Sequence, residues 1–320
     1  MKHAFSSAAA LLGLSALFST AAAGDPGPLA GERFANAPGP VKQWYRVAGK
    51  AEGISVIILH GGPGQGSMVF EQGVGAQLEK VARVVYYDQR GAGRSERPKD
   101  HALYSIPILI EDIEALRRTL GGERIVLLGH SFGTLLALEY AAKYPQHTAG
   151  LVLAGAAFDF PALIDAMCDN LARAKPDAFA RATAAAGPDG RCNPFAGIPD
   201  DAERKAWTEA NMFPDPFTAR KVETWDSVNG LANTGELGGA IFAQGLLSYR
   251  FSGTDRLTMP VLLIDGAEDH QTALAPQQTL AAAIPRGEVR VYEGAGHFMF
   301  VEQPERFARD VAQFLATLND

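Results

Sequence analysis

A chain of 320 residues with 47% hydrophobic and 20% charged residues has a globular composition and enough apolar material for a sizeable core, which excludes the disordered and fibrous classes. The formal net charge is −7, with no long run of either sign; no basic patch of the kind that holds nucleic acid is visible, and an acidic surface of this size aids solubility. The two cysteines stand in no metal-ligand spacing, so no metal site is expected.

The chain opens with a targeting segment. Lys2 and His3 precede an apolar stretch from Ala8 to Phe18, and Ala21-Ala22-Ala23 stand ahead of Gly24. This is the layout of a secretory signal peptide over residues 1–23. The stretch is shorter than the roughly 20 residues a membrane-spanning helix needs. The expectation is therefore cleavage, a secreted or periplasmic location, and no stable membrane anchor afterwards. In an oxidising compartment Cys168 and Cys192 are expected to pair as a disulfide.

Residues Gly24 to Gly39, rich in Pro, Gly and Ala, read as a loose lead-in. Short apolar runs then alternate with helical patterns. Strands are predicted over Ile54 to His60, Arg83 to Asp88, Arg124 to His130 and Leu151 to Ala154; helices over Ile106 to Leu120 and Phe132 to Tyr144. Near Ala156 the alternation stops. Helices over Phe160 to Lys175, Ala202 to Met212 and Phe217 to Val228 follow, with a loop from Gly187 to Pro199. It resumes with a strand over Pro260 to Gly266, a helix over Leu274 to Ile284, a strand over Glu288 to Glu293 and a helix over Pro304 to Leu318. Apolar strands alternating with helices imply a parallel sheet covered on both faces. The expected organisation is an α/β core over 24–155 and 257–320, interrupted by a mainly helical cap over 156–256. The cap enters at the carboxyl end of a strand, where open α/β sheets bind their ligands.

Gly129-His130-Ser131-Phe132-Gly133 has the form G-x-S-x-G between an apolar strand and a helix. That context makes Ser131 the candidate nucleophile: a tight strand-to-helix turn lifts its hydroxyl above the sheet, and small neighbours let strand and helix approach. A serine needs a base. His297, in the glycine-rich loop Gly294-Ala295-Gly296-His297-Phe298, comes last in the Ser-Asp-His chain order of such sites. His60 and His130 belong to glycine turns, His101 and His147 to connections. Asp269 follows a strand and is the candidate acid that orients the histidine, with Glu268 and Asp265 as rivals. The oxyanion donors are expected to be the backbone N–H groups of Phe132 and of Gly62 in His60-Gly61-Gly62-Pro63-Gly64, with Gly61 in reserve. The Gly62–Pro63 bond is a candidate cis peptide.

HGGPG at 60–64, DQRGAGRS at 88–95, GHSFG at 129–133, GAED at 266–269 and GAGHFMFVEQPERF at 294–307 together resemble the α/β-hydrolase superfamily. The pairing of the first two motifs is similar to the proline iminopeptidase branch. The nucleophile turn departs from that branch, with His130, Phe132 and Thr134 where it has Gly, Trp and Ser. The resemblance implies a mostly parallel eight-stranded sheet flanked by helices, the Ser131, Asp269 and His297 triad, donors at Gly62 and Phe132, and a structural role for Asp88 to Ser95. It also implies cap acids that hold a substrate amine. Glu203, Glu209, Glu223, Asp226 and Glu236 are the candidates.

The expected function is a serine hydrolase without cofactor or metal, acting on a short peptide or other small molecule and releasing an N-terminal residue through an acyl-enzyme. A carboxylesterase or lactonase with the same triad is the alternative, and a ligand-binding protein without turnover a third reading.

Overall fold

The computed structural model describes residues 32–187, 189–227 and 235–318; the expected signal peptide, residues 1–23, lies outside them. In chain order the elements are β1 (Glu32–Ala37), β2 (Val41–Gly49), β3 (Ser55–Leu59), α1 (Met68–Gly73), α2 (Gly75–Val81), β4 (Arg83–Tyr87), α3 (Ile106–Leu120), β5 (Ile125–His130), α4 (Phe132–Lys143) and β6 (Thr148–Ala154). A helical stretch follows: α5 (Phe160–Ala174), α6 (Pro176–Ala184), α7 (Pro194–Gly197), α8 (Asp201–Met212), α9 (Pro216–Ser227) and α10 (Glu236–Ala243). The chain closes with β7 (Val261–Gly266), α11 (Leu274–Ala283), β8 (Gly287–Tyr292), α12 (Met299–Glu302) and α13 (Pro304–Ala316).

The strands form one eight-stranded sheet in the order β1-β2-β4-β3-β5-β6-β7-β8. The β1–β2 and β2–β4 pairs are antiparallel, and every pair from β4 to β8 is parallel. Alternate residues of the central strands feed two separate cores. Ile57, Leu59 and Leu127 point to one face; Val56, Ile58, Val126 and Leu128 point to the other. Burial on both faces is why these strands are continuous apolar runs. A third cluster, with Met167, Leu171, Phe195 and Trp207, lies within the helical stretch between β6 and β7.

Two readings need correction. The lead-in contains strand β1, whose pairing runs from Glu32↔Arg46 to Ala37↔Val41. Its ERFANA sequence hides it because an edge strand keeps one side in solvent, and Phe34 is exposed. The loop from Gly187 to Pro199 contains the helical turn α7, capped by Asn193, whose side chain accepts the Ala196 N–H at 3.2 Å. Cys168 of α5 and Cys192, just ahead of α7, are joined by a disulfide with a Cα–Cα distance of 6.4 Å. The Gly62–Pro63 bond is cis. Among the described residues no helix is long and apolar enough to cross a membrane.

Candidate active site

The parallel strands β3, β5, β7 and β8 all end at the same edge of the sheet, and each runs into a loop carrying a predicted site residue. Between β5 and α4, Ser131 adopts φ 51, ψ −122, a left-handed conformation that costs a non-glycine residue of order 1–3 kcal/mol. The surroundings hold it there. Its N–H donates to the Ala154 carbonyl at 3.0 Å, and its carbonyl accepts the Thr134 N–H at 2.9 Å and the Thr134 hydroxyl at 2.6 Å. The flanking glycines are steric requirements. A Cβ on Gly129 would stand 2.6 Å from the Gly133 carbonyl oxygen, and one on Gly133 would overlap the Leu59 carbonyl of β3.

His297 Nδ1 lies 2.7 Å from Asp269 Oδ2. Asp269 is saturated with donors: Oδ1 accepts the Gln271 N–H at 2.7 Å and the Thr272 N–H at 3.0 Å, and Oδ2 also accepts the Thr272 hydroxyl at 2.6 Å. Burial alone would raise its pKa. The adjacent imidazole and these hydrogen bonds outweigh burial and hold the carboxyl below its ordinary value. Asp265, the rival inside β7, goes the other way. Burial and the nearby charge of Asp269 push it well above the carboxylate range. The other rival, Glu268, accepts the Gly294 N–H at 3.2 Å. Room for the His–Asp pair comes from Gly155, where a Cβ would stand 2.9 Å from His297 Nδ1.

Gly62 and Phe132 line the same cavity as Ser131 and His297. The Phe132 N–H belongs to the first turn of α4, whose donors have no acceptor within the helix, and the helix dipole favours negative charge there. The loop holding Gly62, at φ 114, is braced from below. His60 Nδ1 lies 3.0 Å from the Gly61 carbonyl, and its Nε2 lies 3.0 Å from the Gln89 N–H. Burial lowers the His60 pKa and keeps the ring neutral, as this pairing requires. The DQRGAGRS turn is thus a support: Gln89 bonds His60 through its side chain as well, at 2.8 Å, and Asp88 is locked to Arg94 at 2.7 Å.

The remaining walls of the cavity are mostly apolar and come largely from the helical stretch, among them Phe160, Leu163, Met167, Phe195, Val222 and Phe242. The five predicted cap acids divide. Glu209 and Glu223 line the cavity; Lys205 lies 3.6 Å from Glu209 and 2.8 Å from Glu223. The other three do not line it. Glu203 is exposed and pairs with Lys175 at 2.7 Å, and Glu236 accepts from the Tyr104 hydroxyl at 3.1 Å. Asp226 is buried one helical turn beyond Val222 and accepts from Gln65 Nε2 at 3.0 Å, while its Oδ1 has no partner among the described residues. Burial raises its pKa to about 8.

Sequence reasoning missed several residues. Gln65, next to the HGGPG motif, and Thr272 line the cavity. His130, read from the sequence as a turn histidine, lies with Nε2 2.9 Å from the His297 carbonyl. Its place inside GHSFG was the available signal.

The α/β hydrolase fold family profile matches residues 54–304. A proline iminopeptidase of Saccharolobus solfataricus is 26% identical over 288 residues, covering 85% of this chain and 87% of the relative. Among solved structures, a proline iminopeptidase-related protein from Thermus thermophilus superposes with a TM-score of 0.70 at 30% identity, covering 90% of this chain and 98% of that one. An esterase from a Rhodococcus species shares the fold with a TM-score of 0.66 at 24% identity, covering 90% and 99%. With the sheet order, the strained Ser131 turn and these likenesses in agreement, the chain belongs to the α/β hydrolase fold family and is a hydrolase of the proline iminopeptidase-like kind.

Proposed function

We propose that the protein is a serine hydrolase that releases an N-terminal residue from small peptides through an acyl-enzyme formed on Ser131. Ser131 attacks the scissile carbonyl while His297 takes its proton; Asp269 holds the imidazole and stabilises its charged form. The Gly62 and Phe132 N–H groups receive the developing oxyanion. His297 then returns the proton to the leaving amine, and water deacylates the enzyme by the same route. The observation that carries this reading is the strained Ser131 turn opening on one cavity with His297, whose Nδ1 lies 2.7 Å from a fully hydrogen-bonded Asp269.

The peptide reading rests on Glu209 and Glu223. They are carboxylates on a mostly apolar wall, a placement suited to a substrate ammonium. The proline iminopeptidase names of the relatives support the same choice. An esterase or lactonase acting on an apolar acyl group is the second reading. It is favoured by the apolar lining and by Lys205, which already pairs with both acids. The segment at residues 1–23 and the Cys168–Cys192 disulfide support action outside the cytosol.

The test is hydrolysis of prolyl and other aminoacyl arylamides beside short-chain nitrophenyl esters, by the mature chain and its Ser131→Ala variant. Aminoacyl arylamide turnover that vanishes in the variant is expected. The Glu209→Gln and Glu223→Gln variants should raise KM for aminoacyl substrates and leave it unchanged for esters. Ester turnover alone would shift the assignment to the second reading.

A further inference from the structure

The last four carbonyls of a helix have no partner within it and must find donors elsewhere. At the end of α8 two of those donors come from the loops of the proposed triad. The Asn211 carbonyl accepts the His270 N–H at 2.9 Å, one residue beyond Asp269, and the Met212 carbonyl accepts the N–H of His297 itself at 2.7 Å. The approach is close: a Cβ on Gly296 would stand 2.8 Å from Pro214 Cδ and would overlap the Met212 carbonyl. The His297 backbone is therefore held on one side by the cap and on the other by His130, 2.9 Å from its carbonyl.

What fixes the end of α8 is a buried amide pair. Asn211 is 1% exposed. Its Nδ2 donates to the Trp207 carbonyl at 2.9 Å, and its Oδ1 accepts from Asn170 Nδ2 of α5, in a short hydrogen bond. Asn170 sits two residues from Cys168, so the path leads back to the disulfide-bonded part of the cap. Neither asparagine lines the cavity or touches the reacting atoms.

We infer that Asn211, braced by Asn170, is a positioning residue that sets the His297 and Asp269 loops against Ser131 through the carbonyls of Asn211 and Met212. The cap then has two parts. Its apolar helices shape the substrate cavity, and the carboxyl end of α8 belongs to the catalytic frame and stays with the core. The inference rests on the Ser131, His297 and Asp269 reading.

The experiment compares Asn211→Ala, Asn170→Ala and the double variant in the full chain. The control is Asp200→Ala, which removes the N-cap of the same helix, where Asp200 accepts the Glu203 N–H at 2.8 Å. A displacement of about 1 Å at a reacting group costs on the order of a hundredfold in rate. The two single variants should therefore lose about tenfold to a hundredfold in kcat on the best substrate, with KM nearly unchanged. Inactivation by a fluorophosphonate, which reads the His297-dependent nucleophilicity of Ser131, should slow in proportion. The double variant should be no worse than the poorer single one, as coupled residues behave. Asp200→Ala should keep its kcat. The inference is overturned if both single variants keep kcat within about twofold, if their losses add, or if Asp200→Ala loses as much as they do. Should Ser131→Ala retain turnover, the triad reading itself fails, which is a separate outcome.

Discussion

Asp226→Asn is expected to make the protein progressively more stable than the wild type as pH rises. Asp226 is 4% exposed, and among the described residues its carboxyl faces the Gln65 amide on one side and has no partner on the other. Burial raises its pKa from the ordinary 3.8 to about 8. Below the ordinary value both folded and unfolded chains carry the proton, and the group has no effect on stability. Between 3.8 and about 8 the unfolded chain ionises and the folded one does not, so stability falls with rising pH. Above the folded pKa the loss levels off. At ~1.36 kcal/mol per pH unit the interval corresponds to a ceiling of ~6 kcal/mol. Asparagine keeps an acceptor for Gln65 and cannot ionise. The assay is urea unfolding of both proteins over a pH series from about 4 to about 9. The gap between the two curves should widen by ~1.4 kcal/mol per unit across the window and then stay constant. Parallel curves would refute the reasoning, since they would mean that water or a rearranged neighbour solvates the ionised carboxyl.

Three further perturbations test other parts of the site. Asp269→Asn should leave the fold intact and lower kcat by up to about 10⁴-fold, because an amide facing His297 Nδ1 favours the wrong tautomer; a loss below about tenfold in steady-state kinetics would remove Asp269 from its role. Gly133→Ala should cost at least ~1–3 kcal/mol in a thermal melt, since the added methyl meets the Leu59 carbonyl, which is backbone and cannot rotate away. Replacing Cys168 and Cys192 by serine should cost ~3 kcal/mol for a cross-link spanning 24 residues. It should also raise KM for bulky apolar substrates more than it lowers kcat, because Met167 beside one cysteine and Phe195 near the other line the cavity; a fall in kcat at constant KM would contradict this.

The inner strands β3 to β7 were legible because they are buried and leave nearly unbroken apolar runs, whereas β1 and β2, at the antiparallel side of the sheet with exposed positions among their residues, were not. α3 spans Ile106–Leu120, as its periodicity predicts. The short elements were not legible. α1 and α2 are six and seven residues long and are punctuated by Gly73 and Gly75, too little for a helical period to register. α10 has two glycines and a nearly all-apolar sequence, ELGGAIFA, with no polar face to mark it. At the candidate site, the loops carrying Ser131, Asp269 and His297 were legible because each has a distinctive sequence and follows a strand. The choice among the cap acids was not. Whether Glu209 or Glu203, six residues apart on α8, meets the cavity depends on how that helix docks on the core, and no pattern within the helix encodes it. The brace from the end of α8 to His297 was beyond sequence reading too, because it is made by backbone carbonyls that any residue would supply.

Reaction chemistry and substrate choice therefore lie on different physical supports. The proposed nucleophile, acid and oxyanion loops stand at the ends of β3, β5 and β7, which are buried on both faces, and the proposed base follows the partly buried outer strand β8. Most of the cavity wall comes from helices inserted between β6 and β7, which pack on one another through their own cluster around Met167, Leu171 and Trp207. Met167 and Phe195 line the cavity from that separate cluster and can change without touching the sheet, whereas Val222 shares a core cluster with sheet residues such as Ile58 and Leu128. In this chain the choice turns on a local charge count. Glu209 and Glu223 bring two negative charges to the cavity wall, and Lys205 brings one positive charge. The cluster keeps one negative charge in excess, at a wall whose other members are mostly apolar. A substrate ammonium completes that count, whereas a neutral ester leaves the charge beside an apolar acyl group, with poorer hydration than before binding. The proposed peptide reading rests on that imbalance, and under it a substitution that removes either carboxylate should tilt the protein toward esters.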